Sequence, residues 1–266
     1  MYTKQALITN LRNMGIQEND TLLIHSSMKS IGDVDGGAET VLDSFMEYLS
    51  DGLLLLPTHT WANMNETHNI FDPEKEPSCV GLLTNLFMKR EGVVRSLHPT
   101  HSMAAYGKDN KEFIKGEENI TTPCSPGGCY DRLRTRNGKI LLLGVNHIRN
   151  TYLHFVEEAL NVPDRLTEKP TLFHIVMPDK TMKENHMYRH FNKAKGPISD
   201  RYSKLEQAFF DTNVAKEVYF GDARCILCDA NGLYDVMEHI LSQQINCIME
   251  LDTIPETWWE TMPKIS

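Results

Sequence analysis

Apolar positions along the chain follow two rhythms that take turns. Ala6, Leu7, Leu11 and Met14 recur at helical spacing and predict an amphipathic helix over 3–14. Thr21-Leu22-Leu23-Ile24 then reads as a buried strand ending at His25-Ser26-Ser27. Asp35-Gly36-Gly37 marks a turn, and Val41, Leu42, Phe45 and Leu49 give the helix that follows, from about Ala38, one apolar face. A second short strand over 52–56 stops at Pro57. Residues 57–78 mix Pro, Asn, Thr and His without period and predict a long loop, a length that inside a compact domain tends to carry function. A helix over 81–89, a loop over 96–102 held by Pro99 and a short strand over 103–106 come next. Residues 107–130 read as loop-rich, with turn signals at Ser125-Pro126-Gly127-Gly128.

The clearest strand is 139–145, where Ile140, Leu141, Leu142 and Leu143 run uninterrupted; a strand apolar on both faces belongs mid-sheet. A helix follows over 151–160, then a strand over 224–228 and a helix over 232–243. Strands alternating with helices predict an α/β fold with helices on both sheet faces. No repeat, low-complexity segment or linker interrupts the chain, so 1–266 reads as one domain.

Two stretches concentrate polar chemistry. Asn150-Thr151-Tyr152-Leu153-His154-Phe155-Val156-Glu157 follows the mid-sheet strand, with Asn150 as a plausible N-cap. Thr151, His154 and Glu157 then fall three apart on one helical face. An imidazole titrates near neutrality and accepts a proton at physiological pH, and a neighbouring carboxylate can orient it. In the bland alternative this is an ordinary polar helix face. Arg95-Ser96-Leu97-His98-Pro99-Thr100-His101-Ser102 packs an arginine, two histidines and three hydroxyls into eight residues. His98 and His101, with His59 or His154, raise the alternative of a zinc site, but no tight ligand motif such as HExxH accompanies them. The expectation is no metal. The glycine pair Gly36-Gly37 before a helix offers free backbone N–H groups to an anion, a weak signal in itself.

Charge changes the picture in one respect. The chain carries 27 basic and 36 acidic residues, a formal charge of −9. That excludes a general nucleic-acid surface and permits a cationic small substrate. The N-terminus has no apolar run and no stretch is long enough to span a bilayer, so the cytoplasm is the expected location, away from membranes. Six cysteines are expected as free thiols there; Cys225-x-x-Cys228 lies on a predicted strand and so points its thiols to opposite faces.

Taken in order, these pieces resemble the aminoglycoside 3-N-acetyltransferase family. The matching stretches are Leu23-Ile24-His25-Ser26-Ser27, Val34-Asp35-Gly36-Gly37-Ala38-Glu39-Thr40-Val41-Leu42 and Leu56-Pro57-Thr58-His59-Thr60-Trp61. Val80-Gly81-Leu82-Leu83-Thr84, the Arg95-to-Ser102 loop, Ser125-Pro126, Leu142-Leu143-Gly144-Val145, Asn150-Thr151-Tyr152-Leu153-His154 with Glu157, and Asn161-Val162-Pro163 complete them. The likeness is good over roughly 20–165 and loose beyond. It implies a three-layer α/β/α sandwich of the antibiotic N-acetyltransferase type, distinct from GCN5-related enzymes. It implies acetyl-CoA as donor and an amine as acceptor, the 3-amino group of aminoglycosides first, with consequent antibiotic resistance. Another amino sugar or small amine is the alternative acceptor.

By the same resemblance, His154 is the general base, Thr151 a hydroxyl at the reacting centre and Glu157 an acidic partner. His25, Ser26, Ser27, Val34, Gly36, Gly37, Arg95 and Ser96 fall where the family handles the coenzyme. His59, His98, His101 and Asp164 are expected on the acceptor side, where a polycation would meet carboxylates. The chain departs from the family with Asn85-Leu86 after Leu-Thr and with Asp164 after Val-Pro, both bearing on the acceptor.

Overall fold

The computed structural model describes residues 1–191 and 196–264. Among the described residues, ten strands form two sheets. They are β1 (Thr21–Ser26), β2 (Leu53–Pro57), β3 (Ile70–Phe71), β4 (Val94–Arg95), β5 (Met103–Gly107), β6 (Lys139–Leu143), β7 (Thr171–Val176), β8 (Met182–Met187), β9 (Ala215–Phe220) and β10 (Ala223–Asp229). The main sheet runs β4-β5-β2-β1-β6-β10-β9. Its centre is parallel, with β1 between β2 and β6, and its flanks are antiparallel. A smaller sheet runs β3-β7-β8.

The pleat sorts the apolar strands into two cores. Leu22, Ile24, Leu54, Leu56, Leu141 and Leu143 face one side with the helices Lys4–Asn13, Gly37–Tyr48 and Leu82–Phe87. Leu23, Leu53, Leu55, Ile140 and Leu142 face the other, with the helices Cys129–Thr135, Tyr152–Ala159 and Ala230–Gln243. This is the expected α/β/α sandwich, and each fully buried Leu or Phe adds roughly 1.5–3 kcal/mol of apolar burial. Cys225 and Cys228 point to opposite cores and are free thiols, as their strand spacing requires.

Several elements differ from the sequence expectation. The region 107–130 contains a short helix, Asn110–Phe113, and a 3₁₀ turn, Glu117–Asn119. Buried Glu117 anchors it, accepting from Cys129 N at 2.7 Å and pairing with Arg132 at 2.9 Å. The long loop after Pro57 holds β3, which pairs with β7. Strands β7, β8 and β9 went unpredicted because their patterns are diluted; β8, Met-Lys-Glu-Asn-His-Met, buries only Asn185 and Met187. The helix after β6 starts one residue later than expected: Thr151 occupies the N-cap, with no side-chain capping bond, and Asn150 is buried beneath it. No described helix is long and apolar enough to cross a membrane.

Candidate active site

The connection from β1 leads to β2 on one side, while β6 lies on the other. Chain paths diverging from adjacent parallel strands open a crevice at their carboxyl ends. A cavity of about 930 Å³ occupies that position, walled by His25 and Ser26 from β1, Pro57 from β2, and Val145 and Ile148 to Thr151 beyond β6. His154 enters from the helix Tyr152–Ala159, Arg189 and His190 from the segment after β8, and Ile198 to Asp200 from the start of the 3₁₀ helix Ser199–Leu205.

His154 is the best-organised polar group on this wall. The Tyr202 hydroxyl lies 2.6 Å from its Nδ1 and donates to Glu157 Oε2 at 2.6 Å. A phenol has one proton; since Tyr202 gives it to the carboxylate, Nδ1–H of the imidazole donates to the Tyr202 oxygen, leaving Nε2 as the basic atom. His154 Nδ1 and Glu157 Oε2 are 3.8 Å apart, beyond hydrogen-bond length, so the orienting hydrogen bond expected between them runs through Tyr202. Glu157 Oε1 accepts from Arg165 Nε at 2.7 Å. Burial disfavours the charge on Glu157, but His154, Arg165 and Tyr202 outweigh it and hold the carboxyl below its ordinary pKa. Burial and the adjacent carboxylate push the Tyr202 phenol well up, so it stays protonated.

A second imidazole stacks on the first. The His190 ring lies 3.9 Å from that of His154, tilted by 24°. Its Nε2 is 2.7 Å from Glu158 Oε1, which also accepts from Cys124 N, while Oε2 accepts from the Thr122 hydroxyl. The Cys124 thiol is close enough that it, Glu158 and His190 offer metal-ligand atoms within 4.8 Å of one another, but these contacts already engage Glu158 and His190. His101 meets His190 edge-on at 5.4 Å, and His59 lies 4.6 Å from His101. His59 Nε2 is 3.0 Å from the Tyr130 hydroxyl. Burial, then repulsion from neighbouring imidazoles, holds His59, His101 and His190 well below the usual histidine pKa, so they are neutral at pH 7. Burial alone brings His25 to about 3. Its Nε2 is buried without a partner on the cavity wall.

Not every residue expected here arrives. Arg95 is a strut for the long loop: Nη1 donates to Pro73 O and Glu76 O, Nη2 to Thr58 O, and Nε faces the hydroxyls of Thr58 and Ser102. Ser96 is buried and accepts from Met103 N. Neither lines the cavity, and neither do Ser27, Val34, Gly36, Gly37, His98 or Asp164. His98 Nδ1 accepts from Thr100 N and His101 N while Nε2 donates to Thr122 O, so both nitrogens are used and the residue ties its own turn. That also removes the His98–His101 chelate. Asp164 is exposed at φ 58° and does not line the cavity. Asn85 ties Ser78 and Gly81 together and does not face the cavity. Conversely, Tyr202, Arg165, Glu158, His190 and Arg189 escaped the sequence reading; Glu158 directly follows Glu157 and Arg165 lies two residues after Pro163, while the other three lie beyond the matched stretches.

A family model described as aminoglycoside 3-N-acetyltransferase matches residues 23–242. Aminoglycoside N(3)-acetyltransferase III of Salmonella sp is 29% identical over 182 residues, 62% of this chain and 63% of that enzyme. The SPbeta prophage-derived aminoglycoside N(3')-acetyltransferase-like protein of Bacillus subtilis is 27% identical over 176 residues, 58% of this chain and 64% of its own length. The aligned parts thus span less than two-thirds of these relatives. Among solved structures, a mutant of aminoglycoside acetyltransferase AAC(3)-IVa in complex with a gentamicin superposes with a TM-score of 0.80 at 24% identity, over 93% of this chain and 91% of that one. AAC-IIIb in a binary complex with CoASH gives 0.79 at 18% identity, over 91% and 97%. These structural likenesses establish the sandwich fold.

Proposed function

Since the chain belongs to the aminoglycoside 3-N-acetyltransferase family, we propose that it moves the acetyl group of acetyl-CoA onto an amine. The observation that carries this reading is the His154–Tyr202–Glu157–Arg165 chain, which fixes one imidazole tautomer and leaves Nε2 as a base at a cavity. In the reaction, the amine nitrogen attacks the thioester carbonyl as His154 Nε2 takes its proton, directly or through water. Glu157, charged and held by Arg165, stabilises the imidazolium through Tyr202. The Thr151 hydroxyl, on the cavity wall, and nearby backbone N–H groups steady the tetrahedral oxyanion. The C–S bond then breaks, the amide forms, and the thiolate collects the proton from His154. No acyl-enzyme is needed, since donor and acceptor can be held together.

The cavity suits the donor: the unpartnered His25 Nε2 is a polar group ready for an amide of the pantetheine arm. The cytoplasm, where acetyl-CoA is available, is the setting this reading requires. The names of the family and of the Salmonella relative make the 3-amino group of aminoglycosides the first acceptor class, and with it antibiotic resistance. Another amino sugar or small amine is the second reading, favoured by the scarcity of carboxylates on the cavity wall. Release of free thiol from acetyl-CoA, followed with a thiol-reactive dye across a panel of amines, tests the reaction. Release that depends on a free 3-amino group supports the aminoglycoside acceptor; absence of release with every amine would overturn the transferase reading.

A further inference from the structure

The chain is acidic, with a formal charge of −9, but the cavity wall is not. Among the described residues that line it, Asp200 is the one carboxylate, set against two guanidinium groups, Arg149 and Arg189. Glu157 and Glu158 lie behind the wall, each engaged by a cation or by hydrogen bonds. His25, His59, His101 and His190 are neutral by burial and add no negative potential. Neither Arg149 nor Arg189 has an ion-pair partner among the described residues. A ligand with several ammonium groups would therefore bring its charges to a wall that carries more fixed positive charge than negative.

The two arginines have different neighbours. Arg149 follows β6, beside the carboxyl ends where His25 and Ser26 stand. Arg189 precedes His190, whose ring stacks on His154, and donates Nη2 to the Trp61 carbonyl. That bond holds the guanidinium on the wall of the cavity that His154 also lines. Trp61 is 42% exposed and lines the same cavity, a flat apolar surface of the kind against which a sugar ring packs.

Building on the transferase reading, we propose that the acceptor is a phosphorylated amino sugar, its amine presented to His154 and its phosphate held by Arg189. A guanidinium matches a phosphate with two parallel donors, and Arg189 carries no competing carboxylate among the described residues. The amine loses its charge on acetylation while the phosphate keeps its own, so the wall needs to attract only the anion.

The test uses the full chain with acetyl-CoA and compares glucosamine 6-phosphate, glucosamine and gentamicin by thiol release. The expected result is a kcat/KM for glucosamine 6-phosphate at least about ten times that for glucosamine, and higher than that for gentamicin. Arg189→Gln should cut this phosphate preference by about 10–100-fold, the range for lost charge-assisted hydrogen bonds, and Arg189→Lys should restore part of it. Thermal melting of each variant separates this effect from misfolding, and Arg189→Lys still reads the preference should Arg189→Gln melt early. A gentamicin kcat/KM above that of both sugars overturns the proposal and keeps the transferase. An unchanged phosphate preference in Arg189→Gln likewise overturns it, and a raised KM for acetyl-CoA in its place assigns Arg189 to the donor and overturns it too. No release with any of the three removes this proposal; if a wider amine panel then succeeds, the transferase reading survives alone.

Discussion

The stretches 95–102 and 150–157 each combine imidazole, hydroxyl and charged side chains within eight residues, and in space most of their polar atoms are used in opposite ways. In the first, Arg95, Ser96, His98 and Ser102 spend their polar atoms on neighbouring backbone and hydroxyls, and the result is a rigid loop. In the second, His154 is held through one nitrogen, and the other is the base of the proposed reaction. The difference lies in how many polar atoms remain after folding. A side chain whose donors and acceptors are all satisfied internally is architecture; one held at a single atom is available to a substrate.

The sharpest way to break this comparison is to remove the base. His154→Ala should lower turnover by about 10²–10⁴-fold, the scale of a general base, with little change in acetyl-CoA affinity. A folded variant with wild-type rates would refute the assignment. Next in size is Tyr202→Phe, which keeps the ring but cuts the link between His154 and Glu157. Loss of hydrogen bonds to a charged group should reduce kcat by about 10–100-fold. If direct His154–Glu157 contact sufficed, that variant would keep its rate.

On the architectural side, Arg95→Met should lower unfolding free energy by about 2–4 kcal/mol, because several buried carbonyls lose their donor. Denaturant titration measures this, and an unaltered midpoint would show the strut to be dispensable. The pH dependence of stability sharpens the same point. Burial places His98 at about 4 and His25 at about 3, below the 6.5 of an exposed histidine. Between those values and 6.5 the unfolded chain binds more protons, so stability falls as pH drops through this window. Glu157, depressed in the folded state, acts in the same direction: its contribution is present above its unfolded pKa and lost as pH falls through the folded one. Denaturation between about pH 7 and 4 should show a steady decline, and a flat profile would mean these groups are not buried as described.

The smallest effect should come from Asn85→Asp, which places a carboxylate at a position bearing on the acceptor by the sequence reading. Asn85 bonds Ser78 and Gly81 rather than facing the cavity. The variant should lose about 1–2 kcal/mol of stability from two missing donors and leave acceptor KM unchanged. A tighter KM for a cationic acceptor would move Asn85 into the site.

Much of this molecule was legible before folding. Runs such as Leu53 to Leu56 and Ile140 to Leu143 required central strands, because residues apolar in unbroken sequence must bury both faces of a pleat. Spacing alone put His154 and Glu157 one turn apart on one helix. Both readings depend on neighbours a few residues apart, which the chain itself fixes. Only the tertiary structure decided that Tyr202, 48 residues beyond His154, enters between it and Glu157, that Arg165 holds the carboxylate, and that His190 covers the base. It also decided that Arg95 and His98 are tied internally while Arg189 faces the cavity without an ion-pair partner among the described residues. The physical reason is that polar density looks the same whether its hydrogen bonds are closed within the protein or left for a ligand. Which of the two holds depends on partners that arrive from distant parts of the chain.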